Sequence, residues 1–271
     1  MFRHHGIYGR DLPEKTLCLT YDDGPGENGA GRPGPNTSEL GRYLYDEGIA
    51  ATFFVMGKHG EQYPQTLARL HAWGHLIGNH TYSHPGLVKL TLDGGDVVDE
   101  LARTHEIIRP HVDGDVVYFR PPYGNWRQKS RPDGPEDAPR SIVAAALNRD
   151  GRLPNYVGPI LWDILAEDWE CWRQCVSPEE CAARHLQAIE RVGRGIVLLH
   201  DSSEEDDVRP RNRTCEMTQL LVPQLKARGY RFVRLDHIPR VRKAAQRVHS
   251  SVGRQKNGGQ KNHGSGKTVR C

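Results

Sequence analysis

The chain has 271 residues, of which 37% are hydrophobic, and its formal net charge is +3. A chain of this length can bury a substantial core. It contains no apolar run of about 18 residues, so the sequence excludes a transmembrane helix. The opening residues 1–15 also lack the apolar stretch of a signal peptide, so we expect a cytoplasmic location by default.

The positive charge is concentrated at the C-terminus. Residues 240–271 hold nine Lys and Arg and no Asp or Glu, so residues 1–239 carry a net charge of −6. The end of this segment is rich in Gly, Lys, Asn and Ser, a composition that cannot compensate for the entropy lost on ordering. We therefore expect residues 239–271 to form a disordered, solvated tail. Contact with nucleic acid or an anionic surface is the alternative for such a basic segment.

Short apolar runs alternate along the chain with longer segments of helical periodicity. The predicted strands are 16–21, 51–55, 75–79, 116–119, 159–163, 195–200 and 231–235, and the predicted helices are 37–48, 63–73, 96–111, 178–191 and 215–228. This alternation favours parallel strands joined by right-handed crossovers, in either a barrel or an open doubly wound sheet. Residues 125–158 interrupt it and are predicted to be an insertion with one helix at 138–148.

Unusual polar residues follow the carboxyl ends of the predicted strands. They are Asp22 and Asp23 after the first strand, His80 and His84 after the third, Arg120 after the fourth, Asp168 and Trp169 after the fifth, and His200 at the end of the sixth. In a parallel barrel these ends share the face at which active sites form. The sequence therefore predicts one site built from all of these clusters.

Two of the clusters indicate a metal site. The imidazoles of His80 and His84 point the same way if the stretch forms one helical turn before Pro85. Two His and one carboxylate are a common catalytic zinc set. A cation also explains why Asp22 and Asp23 are adjacent, although an exposed turn is the simpler reading of that pair alone. One carboxylate would bind the metal, and the other would accept a proton from the attacking water.

The remaining polar residues suit acid–base catalysis. Arg120 can orient the unligated carboxylate and keep it ionised. His200 is the predicted proton donor, because an amine anion is a poor leaving group, and Asp168 is the predicted partner that raises its pKa. Considered alone, His200 is better explained as a hydrogen-bonded histidine at a strand end, and the role of proton donor depends on the other clusters. The acidic residues 204–207 are predicted to be a solvated loop.

In these motifs the chain resembles the NodB-homology polysaccharide deacetylases, carbohydrate esterase family 4. The matching motifs are TYDDGP (20–25), ATFFVMG (51–57), HTYSHP (80–85), RPPYG (120–124), LWDILAEDW (161–169) and IVLLHD (196–201). The resemblance spans residues 14–238 and implies a single domain with an irregular (β/α)7 barrel fold. Residues 1–13 would then be an N-terminal extension.

The resemblance also implies a role for each motif residue. Asp22 is the expected general base, braced by Arg120, and Asp23, His80 and His84 are the expected ligands of one divalent metal ion, usually zinc. The backbone N–H of Tyr123 is expected to donate to the oxyanion, and Trp169 and Leu198 are expected to receive the acetyl methyl. His200 is the expected general acid, and Asp168 is expected to tune its pKa. The expected reaction is removal of N-acetyl groups from an acetylated amino-sugar polymer or oligomer resembling chitin, peptidoglycan or an exopolysaccharide.

Two segments depart from the family pattern and border the expected substrate groove, namely 26–35 and 125–158. The alternatives within the same class are O-deacetylation of xylan and hydrolysis of a small cyclic amide. Non-catalytic glycan binding is the alternative of another class, and the presence of every catalytic-type residue does not support it. An open groove would favour a glycan, and a site covered by these segments would favour a small molecule.

Four cysteines lie close to the fourth and fifth motifs. Cys171, Cys175 and Cys181 follow the fourth motif and Cys215 follows the fifth. A disulfide from this cluster to Cys215 is expected if the compartment is oxidising, and a structural zinc or free buried thiols are the alternatives.

Overall fold

Parallel strands alternate with helices throughout the computed structural model, which describes residues 2–29, 32–127, 141–153 and 155–257. The strands are β1 (Thr16–Asp22), β2 (Thr52–Val55), β3 (Leu76–Asn79), β4 (Val117–Tyr118), β5 (Tyr156–Val157), β6 (Gly195–His200) and β7 (Arg231–Phe232). The helices are α1 (Thr37–Asp46), α2 (Gly57–Gln62), α3 (Pro64–Ala72), α4 (Leu87–Leu92), α5 (Val97–Ile108), α6 (Ile142–Arg149), α7 (Asp168–Arg173), α8 (Pro178–Val192), α9 (Thr214–Ala227) and α10 (Pro239–Asn257). Within these ranges, no helix is long and apolar enough to cross a lipid bilayer.

Strand β1 is the centre of the sheet. It pairs in parallel with β6 along almost its whole length, with β2 at its carboxyl end and with β7 at its amino end. Strand β3 extends the sheet beyond β2, and β4 pairs with β5. A bridge between Asn79 and Phe119 connects the end of β3 to the end of β4. The predicted α/β class is confirmed, and the parallel strands together with the bridges between them form an irregular barrel.

The predicted fifth strand at 159–163 is wrong as a continuous strand. Ile160 donates its N–H to the carbonyl of Phe119, whereas Ile164 accepts from the N–H of Leu198, so the segment turns from the β4 side to the β6 side. Between them, the carboxylate of Asp163 accepts the backbone N–H of Ile196 at 3.0 Å. The side chain of Asp163 thus accepts a hydrogen bond that a backbone carbonyl would accept in a regular strand pair. The segment is connected to its neighbours only through isolated bridges.

Local sequence signals account for both ends of helix α8. Ser177 accepts the N–H of Glu180 at 3.2 Å and caps the first turn of α8. The helix ends at Gly193, whose φ of 82° lies in the left-handed region that favours glycine. The short helices α2, α4 and α7 were not predicted, because six residues are too few to show a helical period.

The prediction of a disordered tail from residue 239 is wrong for its first part, since residues 239–257 form α10. Val241, Ala244 and Val248 are buried and belong to a hydrophobic cluster that includes Ile7 of the N-terminal segment. Three apolar positions at i, i+3 and i+7 are enough to anchor a helix, although the average composition of the segment is polar. Residues 258–271 of the predicted tail lie outside the described residues.

We expect Val241→Ala to lower the free energy of unfolding by about 2 kcal/mol, because it removes two buried methyl groups and leaves a cavity. Lys243→Ala, on the exposed face of the same helix, is the matched control and should change it by less than about 0.5 kcal/mol. Urea denaturation measures both values. Equal effects of the two substitutions would contradict the docking of α10.

Candidate active site

A cavity of about 420 Å³ lies at the carboxyl ends of the strands. Eight of the ten predicted site residues line it, namely Asp22, Asp23, His80, His84, Tyr123, Trp169, Leu198 and His200. The other two, Arg120 and Asp168, are fully buried behind it. The structure thus brings residues from five separate segments to the face that the sequence predicts, as parallel strands require.

Asp23, His80 and His84 form a candidate metal site at the floor of this cavity. They offer one ligand atom each, and these atoms lie within 4.8 Å of one another. The Oδ1 atom of Asp23 is 3.2 Å from Nε2 of His84 and 3.5 Å from Nε2 of His80. This buried oxygen has no hydrogen-bond partner in the structure. An unpaired buried carboxylate oxygen that faces two imidazole nitrogens is a donor set that fits a divalent cation.

Charge around Asp23 favours its ionised form. Burial alone would raise the pKa of this carboxyl, but the neighbouring imidazoles of His84 and His80 hold the pKa well below its ordinary value. An ionised Asp23 is the form that binds a cation.

The second nitrogen of each imidazole is held by a hydrogen bond from outside the metal site. Nδ1 of His80 donates to the carbonyl of Arg120 at 2.8 Å, and Nδ1 of His84 donates to Oε2 of Glu204 at 2.5 Å. Both bonds leave Nε2 turned toward Asp23. The prediction of a solvated loop at 204–207 is therefore wrong for Glu204, and no local sequence signal distinguishes this acid from its neighbours.

The loops that carry the site use left-handed backbone conformations. Asp23, Thr81, His84 and Tyr123 have φ values of 73°, 68°, 62° and 57°. These values are incompatible with a right-handed helix, so the helical turn predicted through His80 is wrong. Positive φ values turn the chain sharply after β1, β3 and β4, and all of these residues except Thr81 line the cavity.

Asp22 is fixed by a buried ion pair with Arg120. Nη1 of Arg120 donates to Oδ1 of Asp22 at 2.7 Å, and the guanidinium also donates to Thr20 Oγ1 at 2.8 Å and to the carbonyl of Ile160 at 3.2 Å. Arg120 is 0% exposed. The other oxygen of Asp22 lies 3.6 Å from Nε2 of His80. One oxygen is therefore anchored, and the other faces the candidate metal site.

His200 pairs with Asp168 on the opposite wall. Nδ1 of His200 donates to Oδ1 of Asp168 at 2.8 Å, and its backbone N–H donates to Oδ2 at 2.7 Å. Burial alone would lower the pKa of His200, but the charge and hydrogen bond of Asp168 raise it to about 9. The imidazole is therefore protonated near neutral pH, with Nε2–H available to a ligand in the cavity.

A third carboxyl group lies close to the Asp pair and was missed by sequence reasoning. Asp201 is buried, and burial raises its pKa to about 8 even though Thr37 donates to its Oδ2 at 2.6 Å. The same oxygen would lie 1.9 Å from a Cβ atom at position 24, so only Gly24 fits there. At neutral pH this carboxyl adds no further full negative charge beside Asp22 and Asp23.

The remaining predicted residues form the upper wall. Tyr123 is 64% exposed, and its hydroxyl donates to Oε1 of Glu204 at 2.5 Å. Leu198 is buried on β6, and the ring of Trp169 packs beneath the guanidinium of Arg173 at 4.8 Å. The apolar side chain of Leu198 thus lies buried near the strands, and Tyr123 is exposed to solvent at the outer edge of the cavity.

Of the alternatives for the cysteines, the structure contains free thiols. The cysteines among the described residues are Cys18, Cys171, Cys175, Cys181 and Cys215, and all are unpaired. The expected disulfide to Cys215 is therefore absent from these residues. Cys215 lies instead beside the amide of Gln219 on α9, at 3.7 Å.

A cavity that combines a candidate metal site, a braced carboxylate and a protonated His–Asp pair is the arrangement of a hydrolytic enzyme. Comparison with known proteins identifies the family of this enzyme.

The polysaccharide deacetylase family model matches residues 9–134. A solved structure described as T48 deacetylase with substrate is 30% identical, has a TM-score of 0.55, and covers 83% of this chain and 90% of its own.

Two further relatives extend the match across the domain. A chitooligosaccharide deacetylase of Azorhizobium caulinodans is 28% identical over 225 residues, which cover 80% of this chain and 91% of the relative. The peptidoglycan-N-acetylmuramic acid deacetylase PdaA of Bacillus subtilis is 27% identical over 237 residues, 87% of this chain and 76% of the relative. Its solved structure, a family 4 carbohydrate esterase, is 26% identical, has a TM-score of 0.60, and covers 83% of this chain and 80% of its own. This chain belongs to the NodB-homology polysaccharide deacetylase family.

Because Asp168 keeps His200 protonated, Asp168→Asn should lower the pKa of His200 from about 9 toward the ordinary histidine value. NMR titration of the His200 ring measures this change. Glu170→Gln, on the same helix, is the control and should leave the His200 titration unchanged.

The same pair makes stability depend on pH. The folded pKa of His200 lies above its unfolded value of about 6.5, so its contribution is complete below pH 6.5 and is lost as pH rises through about 9. Asp168→Asn should therefore reduce the loss of stability between pH 6.5 and 9 in thermal melts. An unchanged slope over that window would contradict the assignment.

Proposed function

We propose that this enzyme hydrolyses N-acetyl groups of an amino-sugar polymer or oligomer, and that it uses one zinc ion. The observation that carries the proposal is the position of Asp22. Its free oxygen faces Asp23, His80 and His84, while the protonated His200 lies across the same cavity. Amide hydrolysis needs a base and an acid on opposite sides of the carbonyl, and this geometry provides both.

Asp23, His80 and His84 would hold the ion. A bound divalent ion supplies a Lewis acid at this position, which polarises a carbonyl and lowers the pKa of water. The two-imidazole, one-carboxylate set matches the preference of zinc, and it leaves room for ligands from solvent and substrate.

Asp22 is the proposed general base. Arg120 holds one oxygen at 2.7 Å and thereby turns the other toward the position of the attacking water. Deprotonation of that water by Asp22 generates the nucleophile at the carbonyl carbon. The buried guanidinium occupies Oδ1 of Asp22, so only Oδ2 remains free to accept a proton.

His200 is the proposed general acid. After attack, the C–N bond breaks and the amine leaves with a proton from Nε2 of His200. Asp168 holds the ring through Nδ1, so Nε2 remains directed into the cavity. The backbone N–H of Tyr123 is the proposed donor to the oxyanion. Trp169 and Leu198 form the proposed apolar wall for the acetyl methyl.

The relatives and the open cavity support a glycan as the substrate. The named relatives act on chitooligosaccharide and on peptidoglycan. None of the described residues 26–29, 32–35, 141–153 and 155–158 lines the cavity, so these parts of the two unusual segments do not cover it. Tyr123 and Leu165, at its rim, are 64% and 37% exposed. An open rim admits a chain, whereas a small cyclic amide would favour an enclosed site.

The proposal is tested by deacetylation assays on chitooligosaccharide, peptidoglycan and acetylated xylan, with and without a chelator. We expect release of acetate from the first or second substrate, loss of activity with the chelator and recovery with zinc. Asp22→Asn should lower kcat by about 10²–10⁴-fold, because it removes the base and keeps the shape. Activity that ignores the chelator, or that survives Asp22→Asn, would falsify the mechanism.

Dependence on the leaving group tests the role of His200. His200→Ala should lower kcat/KM on an N-acetylated oligosaccharide by about 10²–10⁴-fold. On an aryl acetate, whose phenolate leaves without a proton, the loss should be about tenfold or less. Equal losses on the two substrates would show that His200 acts by some means other than protonation of the amine.

A further inference from the structure

Glu204 contacts two residues of the proposed catalytic machinery with its two carboxylate oxygens. Oε2 accepts from Nδ1 of His84 at 2.5 Å, and Oε1 accepts from the hydroxyl of Tyr123 at 2.5 Å. The rings of His84 and Tyr123 are themselves in edge contact, with centroids 4.6 Å apart. Glu204 follows β6, His84 follows β3 and Tyr123 follows β4, so one side chain connects three loops.

We propose that Glu204 is a positioning residue that fixes the imidazole of His84 for metal binding and orients Tyr123 beside it. This inference rests on the proposed function, since it assigns His84 to a metal and Tyr123 to the oxyanion. Glu204 would act through these two residues rather than on the substrate itself.

The two imidazoles of the candidate metal site differ in what holds them. His80 donates to the backbone carbonyl of Arg120, which lies at the end of β4. His84 has left-handed backbone geometry in an irregular loop, and its ring is held by a side chain from 120 residues further along the chain. Without Glu204 the ring of His84 would lose its Nδ1 acceptor, whereas the ring of His80 would keep its own.

The loop that carries Glu204 is itself anchored. The next residue, Glu205, donates its N–H to Ser203 Oγ at 3.1 Å, and its carboxylate binds Arg173 of α7 at 2.5 Å. Only 23% of the Glu204 side chain is exposed. Restricted backbone and partial burial reduce the entropy that Glu204 loses when it holds His84 in place.

A carboxylate also contributes charge that an amide cannot. A carboxylate that accepts from the outer nitrogen of a ligating imidazole fixes its tautomer and increases its basicity, and loss of such a partner typically weakens metal affinity by 10–100-fold. Glu204→Gln keeps the size of the side chain and removes the charge. Glu204→Ala removes the acceptor as well.

The test is the zinc affinity of the 271-residue chain, measured by competition with a chromophoric chelator. We expect Glu204→Ala to weaken zinc binding by about 10–100-fold, and Glu204→Gln to weaken it by a smaller factor. Asp206→Asn is the matched control from the same acidic run, since Asp206 is exposed and pairs with Arg209. It should bind zinc as the unmodified chain does.

A second readout separates positioning from folding. With cobalt in place of zinc, the visible absorption spectrum should shift in Glu204→Gln and stay unchanged in Asp206→Asn. Melting temperatures measured with chelator present should agree among the unmodified chain, Glu204→Gln and Asp206→Asn. If both Glu204 variants bind zinc as tightly as the control, the inference is overturned and the proposed function stands. If the unmodified chain binds no zinc, the proposed function itself fails.

Discussion

The buried ion pair between Asp22 and Arg120 is the constraint on which the site depends. Two adjacent carboxylates at the end of β1 repel each other, and burial makes that repulsion stronger. Arg120 compensates one of them, and the other faces the imidazoles of His80 and His84, where a bound cation would compensate it. Loss of one partner from a buried pair typically costs about 3–5 kcal/mol, because the remaining charge is left without compensation.

Arg120 also links the electrostatics of the site to its geometry. Its side chain bonds to Thr20 on β1 and to the carbonyl of Ile160, and its own carbonyl orients His80. The guanidinium lies over the ring of Phe54 on β2, 4.3 Å from its centroid. A single residue thus connects four parts of the barrel around Asp22. Opposite it, the Asp168–His200 pair holds a proton, so the cavity has one basic wall and one acidic wall.

The sequence predicts most of the barrel and the identity of the residues at its rim, because strand patterning and motif spacing are local properties. It fails where distant contacts decide the conformation. The carboxylate of Asp163 accepts the N–H of Ile196 and thereby interrupts the strand predicted at 159–163. Helix α10 is ordered by a stripe of buried apolar residues within a segment of polar composition. The contact between His84 and Glu204 spans 120 residues and leaves no pattern that a reader of one sequence can recognise.

The left-handed backbone at Asp23, His84 and Tyr123 has a consequence for how the protein can be stabilised. Each such conformation costs a non-glycine residue free energy, of the order of 1–3 kcal/mol in strained cases. Glycine at Asp23 or His84 would relieve that cost but would remove a proposed metal ligand, whereas glycine at Tyr123 would keep the backbone N–H and remove only the side chain whose hydroxyl contacts Glu204. Stability and the proposed activity therefore oppose each other most directly at Asp23 and His84. Substitutions that raise stability without lowering activity should therefore be placed at the opposite end of the barrel, away from these loops.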